Sequence, residues 1–336
     1  MKTKGEMSMK KTWMKKAIAL TMTVAMAATL FTGCGGKNDA PKEVVINFPT
    51  AATTGALYPL GAAITNLWTE EIDYVTASSQ ASGGGVDNLN LLHTGEAQVS
   101  IAISSNCYES YTGTGTFDGR ENKDLRAIAG LYYNPNQVVV LADKGYETLA
   151  DLKGAHFATG AAGSSTEGES NNHFTAAGLT YPDDLNAEYV GFTESVDLMR
   201  NKQLDGAWVM AALGNAAVTE ATSTAGAKVL NIDDSIIEAL QAEYPWYAKF
   251  IIPAGTYNNT EDIQTTAIKM VMFTSAELDE ETVYDLTKVF WENVETLAET
   301  NSGLRGITVE GAVTDLAGLP IHDGAAKYYK EIGVLK

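Results

Sequence analysis

Five times along this chain an apolar strand-like run is followed by a stretch rich in Gly, Ser and Thr that opens onto a helix-like or polar segment. The stretches are Thr50–Gly61 (TAATTGALYPLG), Ser78–Leu89 (SSQASGGGVDNL), Ile103–Tyr108 (ISSNCY), Ala158–Ser170 (ATGAAGSSTEGES) and Val190–Asp197 (VGFTESVD). Repeated strand–turn–helix units commit a chain to an α/β architecture. They also bring the carboxyl ends of several strands together, where open α/β sheets bind ligands. Each turn opens a helix whose free N–H groups and positive end can hold a carboxylate. In the first, Pro59 stands near the first helical position, and Thr53 and Thr54 add hydroxyl donors. Ordinary capping accounts for any single turn. Five together, with few charges, point to a site.

The chain has 336 residues, enough for two domains and a sizeable core. Its 45% hydrophobic content predicts a folded protein. A formal charge of −19 excludes the basic face that nucleic acid selects, and also charge-driven binding to an anionic membrane.

Four lysines between Lys10 and Lys16 precede an apolar run from Ala17 to Phe31. That run is shorter than the ~20 residues that span a bilayer comfortably. With the small residues that follow, it reads as an export signal. The sequence Phe31-Thr32-Gly33-Cys34 resembles the lipobox of bacterial lipoproteins, with Phe31 where Leu is usual. The resemblance implies a lipoprotein signal peptide over residues 1–33 and lipidation of Cys34. A polar Gly/Pro-containing tether over residues 34–43 follows, on the outer side of a cell membrane. Cys107 would then be the lone thiol, so no internal disulfide is expected.

Expected strands cover Val44–Phe48, Val75–Ala77, Val99–Ile103, Ala127–Tyr132, Gln137–Leu141, His156–Ala158, Ala187–Val190, Gly206–Val209 and Lys228–Leu230. Expected helices cover Pro59–Glu70, Gly85–His93, Ser165–Ala177, Ser195–Asn201, Asn215–Thr222, Asp234–Glu243, Thr260–Ala267, Glu280–Glu299 and Gly324–Ile332. Gly95 sits where a helix C-cap belongs.

Five runs taken in order, TAATTGALYPLGAAITNLW, ASSQASGGGVDNLNLLHTGEAQVSIAISS, AGSSTEGESNNHFTAAGL, FTESVDLMRNKQLDGAWVM and LPIHDGAAKYYKEIGV, together resemble the TAXI solute receptors. These are the extracytoplasmic binding proteins of tripartite ATP-independent periplasmic (TRAP) transporters. The resemblance runs from Val44 to the C-terminus; Ala51, Ala52 and Thr53 stand where the family usually has glycines. It implies a type II periplasmic-binding-protein fold of two α/β lobes that close on a solute. Lobe one would comprise residues 44–135 and 253–336, and lobe two residues 136–252. The stretches YYNPNQVVVLAD and YAKFIIPAG are the matching crossovers. It further implies a small organic acid or amino acid as solute, glutamate or glutamine being the usual examples. A TRAP-type membrane permease would be the partner. A monomer without cofactor or metal is expected.

The ligand-binding candidates follow from the turns. Thr53, Thr54, Gly55, Leu57 and Tyr58 line the first, Ser82, Gly83 and Gly84 the second, and Ser104 and Ser105 the third. Ser164, Ser165 and Thr166 face them from lobe two, joined by Phe192, Glu194 and Ser195. Glu194 has two readings, receiver of a ligand ammonium or first-turn acid of its helix. Trp208 either stacks on the solute or sits in the core. All four arginines fall outside the five turns, so helix ends and hydroxyls take the place of an arginine clamp.

Other chemistries lack their motifs. Glu167 stands where the second glycine of a G-x-S-x-G elbow belongs, so no catalytic residue is named and no enzyme expected. The four histidines lack metal-site spacing and read as surface or capping residues. The acidic runs NIDDS and ELDEET lack a calcium-loop pattern. A surface lipoprotein with an adhesive role is the alternative, and a hydrolase the weaker one.

Overall fold

The computed structural model describes residues 43–51, 53 and 57–336. The signal peptide, Cys34, nearly all of the tether, and the site candidates Thr54 and Gly55 lie outside the described residues.

Strand β1 (Val44–Pro49) runs parallel to β2 (Val75–Gln80), with helix α1 (Leu57–Glu71) connecting them. Leu60, Ile64 and Trp68 of α1 recur at four-residue spacing and are buried. Helix α2 (Gly85–His93) follows. It ends as the sequence predicts: Gly95 has φ 78°, its N–H bonds the Leu92 carbonyl, and the Glu96 N–H bonds the Leu91 carbonyl. That pair of bonds is a Schellman cap, which needs the left-handed residue that glycine provides.

Strand β3 (Val99–Ile103) is buried along its whole length and passes straight into α3 (Ser104–Thr112), a helix absent from the sequence expectation. The chain then builds β4 (Leu125–Leu141), β5 (His156–Ala158), α4 (Ser165–Ala176), β6 (Asn186–Glu188), α5 (Phe192–Arg200) and β7 (Gly206–Met210). There follow α6 (Ala216–Thr224), β8 (Ala227–Val229), α7 (Asp234–Glu243), β9 (Ala248–Ile252) and β10 (Ile263–Ser275). The helices α8 (Glu280–Glu292), α9 (Val294–Thr300) and α10 (Asp323–Glu331) close the chain.

The main sheet has the order β3-β10-β4-β7-β5-β6, with β8 on β4 and β9 on β10. Its two long antiparallel strands belong to both halves. Residues 125–135 of β4 pair with β10, whereas residues 136–141 pair with β7 and β8. Residues 263–267 of β10 pair with β9, whereas residues 270–274 pair with β3. The fold is a two-lobe α/β architecture with a mixed sheet.

Three sequence expectations change. The strands expected at Ala127–Tyr132 and Gln137–Leu141 are one strand, since Pro135 sits within the ladder opposite Ala267. The helix expected at Thr260–Ala267 does not form; Ile263 onward is β10. That strand is buried on both faces, so it lacks the alternation that marks a half-exposed strand. The helix expected over Glu280–Glu299 breaks at Asn293, which has φ −121° and ψ 13° and separates α8 from α9.

Where β4 and β10 cross over, a buried polar cluster replaces apolar packing. Asn136 Nδ2 donates to Thr266 Oγ1 (3.0 Å), Trp208 Nε1 donates to Asn136 Oδ1 (2.9 Å), and Thr265 Oγ1 donates to the Asn136 carbonyl (2.5 Å). His173 joins through Nε2 and Thr266 Oγ1 (2.7 Å), while Nδ1 meets the Glu169 carbonyl (2.6 Å). A carbonyl only accepts, so Nδ1 carries the proton and Nε2 accepts from the threonine. His173 is thus a fully buried core histidine, not the surface or capping residue expected. His322 does cap α10, accepting from the Gly324 N–H at 3.1 Å.

Candidate functional site

Helix α3 begins directly on β3, which buries Ser105 and Asn106 in its first turn. Helix α4 begins after Ser164, whose hydroxyl accepts the Glu167 N–H at 3.2 Å; Glu167 in turn accepts the Gly163 N–H at 2.6 Å. This is close to a capping box. The two helices meet where Ser165 Oγ donates to Asn106 Oδ1 at 3.3 Å. A cavity of about 280 Å³ lies beside this contact, walled also by Glu109 and Trp246. Ser165, Glu169 and Asn172 follow at i, i+4 and i+7 on α4, so one helical face presents all three to it.

Glu169 is the unusual member. It is 4% exposed and its Oε2 has no hydrogen-bond partner among the described residues. Burial pushes its carboxyl up to about 8; hydrogen bonding by Tyr247 and Asn136 opposes this, and the charge of Glu109 adds to it. Burial raises Glu109 as well, against hydrogen bonding by Thr116. Trp246 Nε1 is a second buried polar atom without a partner there. Both atoms are closed off from solvent, and the Tyr247 hydroxyl interacts with both side chains.

A larger cavity of about 560 Å³ lies between Ala51 and Leu57 at the first turn, Phe192 of α5, the Met210–Asn215 stretch after β7, and Asn301. A third, of about 370 Å³, holds Lys269, Tyr133 and Arg305. The Lys269 ammonium there is already engaged: it donates to the carbonyls of Gly311 (2.5 Å) and Thr314 (3.1 Å) and lies 4.8 Å from the centre of the Tyr133 ring. It serves as a structural cation.

The remaining candidates divide clearly. Ser105, Ser164 and Ser165 line the α3–α4 cavity, and Leu57 and Phe192 line the larger one. Thr53 is exposed, and Tyr58 is half-buried in the first turn of α1, at the wall of neither. Ser82 Oγ donates to Asn88 Oδ1 (2.6 Å) and accepts the Gly84 N–H (3.1 Å), while the Gly83 N–H is taken by Asp87. Gly84, at φ 98°, precedes α2 as its cap. Those three shape a turn. Ser104 is buried with its hydroxyl unpartnered, and Thr166 is buried in α4. Glu194 is exposed in the first turn of α5, as a helix acid is. Ser195 Oγ bonds back to the Phe192 carbonyl (2.7 Å), and Trp208 is 1% exposed in the core.

Sequence reasoning missed Asn106, Glu109, Glu169, Asn172 and Trp246. One signal was available: the Ser165–Glu169–Asn172 spacing is a polar stripe on the side of α4 that packs inward. Trp246 lies in a loop, and no periodicity marks it. Among the described residues, no cluster of His, Cys, Asp and Glu could hold a metal, and no helix is long and apolar enough to cross a membrane.

Residues 48–333 match the model of the NMT1-like family. Among solved structures, a TctC solute-binding protein from Polaromonas is 16% identical, with 78% of this chain and 88% of that one covered and a TM-score of 0.52. The alkanesulfonate-binding protein SsuA from Xanthomonas axonopodis pv. citri, bound to MOPS, is 14% identical over 88% and 96%, with a TM-score of 0.44. The L-cystine solute receptor of Neisseria gonorrhoeae, in an unliganded open conformation, is 16% identical over 79% and 94%, with a TM-score of 0.42. At 16% identity the likeness to the TctC protein is one of fold.

Proposed function

The chain belongs to the NMT1-like family, and from that premise we propose that it is a lipid-anchored, extracytoplasmic solute receptor. It captures a small organic acid or amino acid between its lobes and delivers it to a TRAP-type permease. The TAXI branch and the permease rest on the five sequence runs, and the anchor rests on the segment ending at Cys34. We assign residues 44–135 and the C-terminal part to lobe one and the middle of the chain from residue 136 to lobe two. We place the second crossover in β10 near Ala267 rather than at the 252/253 boundary, which is supported by residues 263–267 pairing with β9 and residues 270–274 with β3.

The observation that carries this reading is the cavity between α3, assigned to lobe one, and α4, assigned to lobe two, lined by Ser105, Asn106, Ser165, Glu169 and Asn172. A hydrolase finds no support at Ser165: its hydroxyl partner is an asparagine, and no histidine lines this cavity. A thermal-shift screen against amino acids, organic acids and sulfonates tests the reading. A true solute at 100 times its Kd adds about 2.7 kcal/mol. A screen in which no compound raises Tm removes the receptor assignment.

A further inference from the structure

We propose that the cavity of about 370 Å³ beside Lys269 is a second binding site, separate from the α3–α4 cavity, for a small amphiphilic anion. Its ligand has an apolar body and one carboxylate or sulfonate head, and Arg305 holds the head. No residue lines both this cavity and the α3–α4 one, and the inference does not rest on the solute-receptor reading.

The charge on the wall sets the sign. The chain carries 42 acidic residues against 23 basic ones. Yet no Asp or Glu lines this cavity, or the larger one that adjoins it through Tyr132, Ala212 and Gly303. Lys269 and Arg305 do line it. Lys269 has committed its donors to the Gly311 and Thr314 carbonyls and the Thr314 hydroxyl, so it contributes charge but no free N–H. Asp315, whose charge acts on Lys269, accepts the Tyr133 hydroxyl and stands outside the wall.

Arg305 differs from the other arginines. Arg120 donates to Asn90 and Thr116, Arg126 to the Lys123 and Leu125 carbonyls, and Arg200 pairs with Asp197 and Glu220. The Arg305 guanidinium has no hydrogen bond or ion pair among the described residues. Glu295 and Glu299 line a neighbouring cavity on its other side without pairing with it. A guanidinium fork matches a carboxylate or sulfonate with two parallel N–H donors, which an ammonium cannot do.

The rest of the wall sets the body of the ligand. Leu131, Tyr132, Tyr133, Phe250 and Ile307 line it. The Tyr133 and Phe250 ring centres are 5.9 Å apart, and Asp315 holds the Tyr133 hydroxyl, so the aromatic wall is fixed before a ligand arrives. Arg305 is carried on a hydrogen-bonded turn: Asn301 Oδ1 accepts the Gly303 N–H (2.9 Å), and the Arg305 N–H bonds the Ser302 carbonyl (3.1 Å). A Cβ on Gly303 would stand 3.1 Å from the Tyr132 ring, so this turn and that ring pack in contact. A preformed apolar wall with a few placed polar groups is what a small-molecule cavity of this size presents.

The test is calorimetry on the full chain with three anions and their neutral amides: phenylacetate with phenylacetamide, benzenesulfonate with benzenesulfonamide, and 4-methylpentanoate with 4-methylpentanamide. Each pair keeps the body and removes the charge. The expected result is a Kd at least tenfold lower for the anion in every pair that binds. Arg305→Gln should abolish that preference and Arg305→Lys should restore part of it, a pattern that a merely structural arginine does not give. Thr308→Trp, at an exposed position that lines this cavity and neither the larger one nor the α3–α4 one, should fill it and weaken anion and amide alike. Equal binding of anion and amide, or an unchanged preference in a folded Arg305→Gln, overturns the inference. So does unchanged binding in Thr308→Trp, or binding of none of the six compounds at millimolar concentration. None of these outcomes touches the receptor reading, which rests on the α3–α4 cavity.

Discussion

Burial moves two acid–base groups on α4 in opposite directions, each toward its neutral form. Glu169 is raised to about 8 and His173 lowered to about 4, desolvation being the largest cause for both. For Glu169, the folded chain holds its proton from pH 4.5 to 8 while the unfolded chain releases it. Stability therefore falls across that window, by about 1.4 kcal/mol per pH unit at most. Glu169→Gln removes this penalty, so its urea midpoint should exceed that of the parent at pH 9 and match it near pH 4.5. A parent midpoint that does not fall relative to the variant between those values contradicts the buried neutral acid. For His173, the unfolded chain takes up a proton between pH 6.5 and 4 that the folded chain refuses, so stability is lost on acidification. Ser165 is a different case, a neutral hydroxyl with one neutral partner. Ser165→Ala should weaken solute binding by about 1 kcal/mol. An unchanged Kd in the folded variant takes Ser165 out of the site.

At the scale of elements, the packing of α10 on α8 hinges on a missing Cβ. A Cβ on Gly324 would stand 2.1 Å from the Glu280 carbonyl oxygen and 2.8 Å from the Tyr284 nitrogen. Both obstacles are backbone at the start of α8, so only a shift of one helix relieves them. Gly324→Ala should cost roughly 1–3 kcal/mol, read from the urea midpoint. A midpoint equal to the parent's places these helices further apart than described. The same scale shows why short elements bounded by clear turn residues were legible. Strand β3 and helices α2 and α7 have the expected bounds, because local pattern and burial agree there. Strand β10 was not legible: its run IQTTAIKMVMFTS is buried on both faces with polar residues scattered on each, so it shows no strand alternation until its neighbours are known.

For the whole molecule, if α3 and α4 lie on different lobes as proposed, a solute touching both binds the closed form better, and only that difference in affinity shifts the lobes. On the proposed lobe assignment the motion would be absorbed in β4 near Pro135–Asn136 and in β10 near Ala267, where the strand pairing changes partner. Small-angle scattering should show a smaller radius of gyration at saturating solute. Identical profiles with and without a confirmed ligand rule out closure. The anchor is tested separately: Cys34→Ala should move the protein from the membrane to the soluble fraction, and retention in the membrane contradicts lipidation.

Composition, periodicity and turn chemistry determined the α/β class, the five strand-to-helix turns and the Gly95 helix end, because each depends on residues close in the chain. Ser105, Ser164, Ser165, Leu57 and Phe192 were found from those turns and do line cavities. Only the tertiary structure decided the rest. Whether Trp208 meets solvent or core depends on Asn136, 72 residues away. Whether an acid stays solvated or becomes a buried, neutral group depends on what packs over it. Glu194 and Glu169 are both acids near the start of a helix, yet the first is exposed and the second is enclosed by α3, β4 and the Trp246 loop. Desolvation is a property of the assembled surroundings, and the sequence around a residue does not carry it.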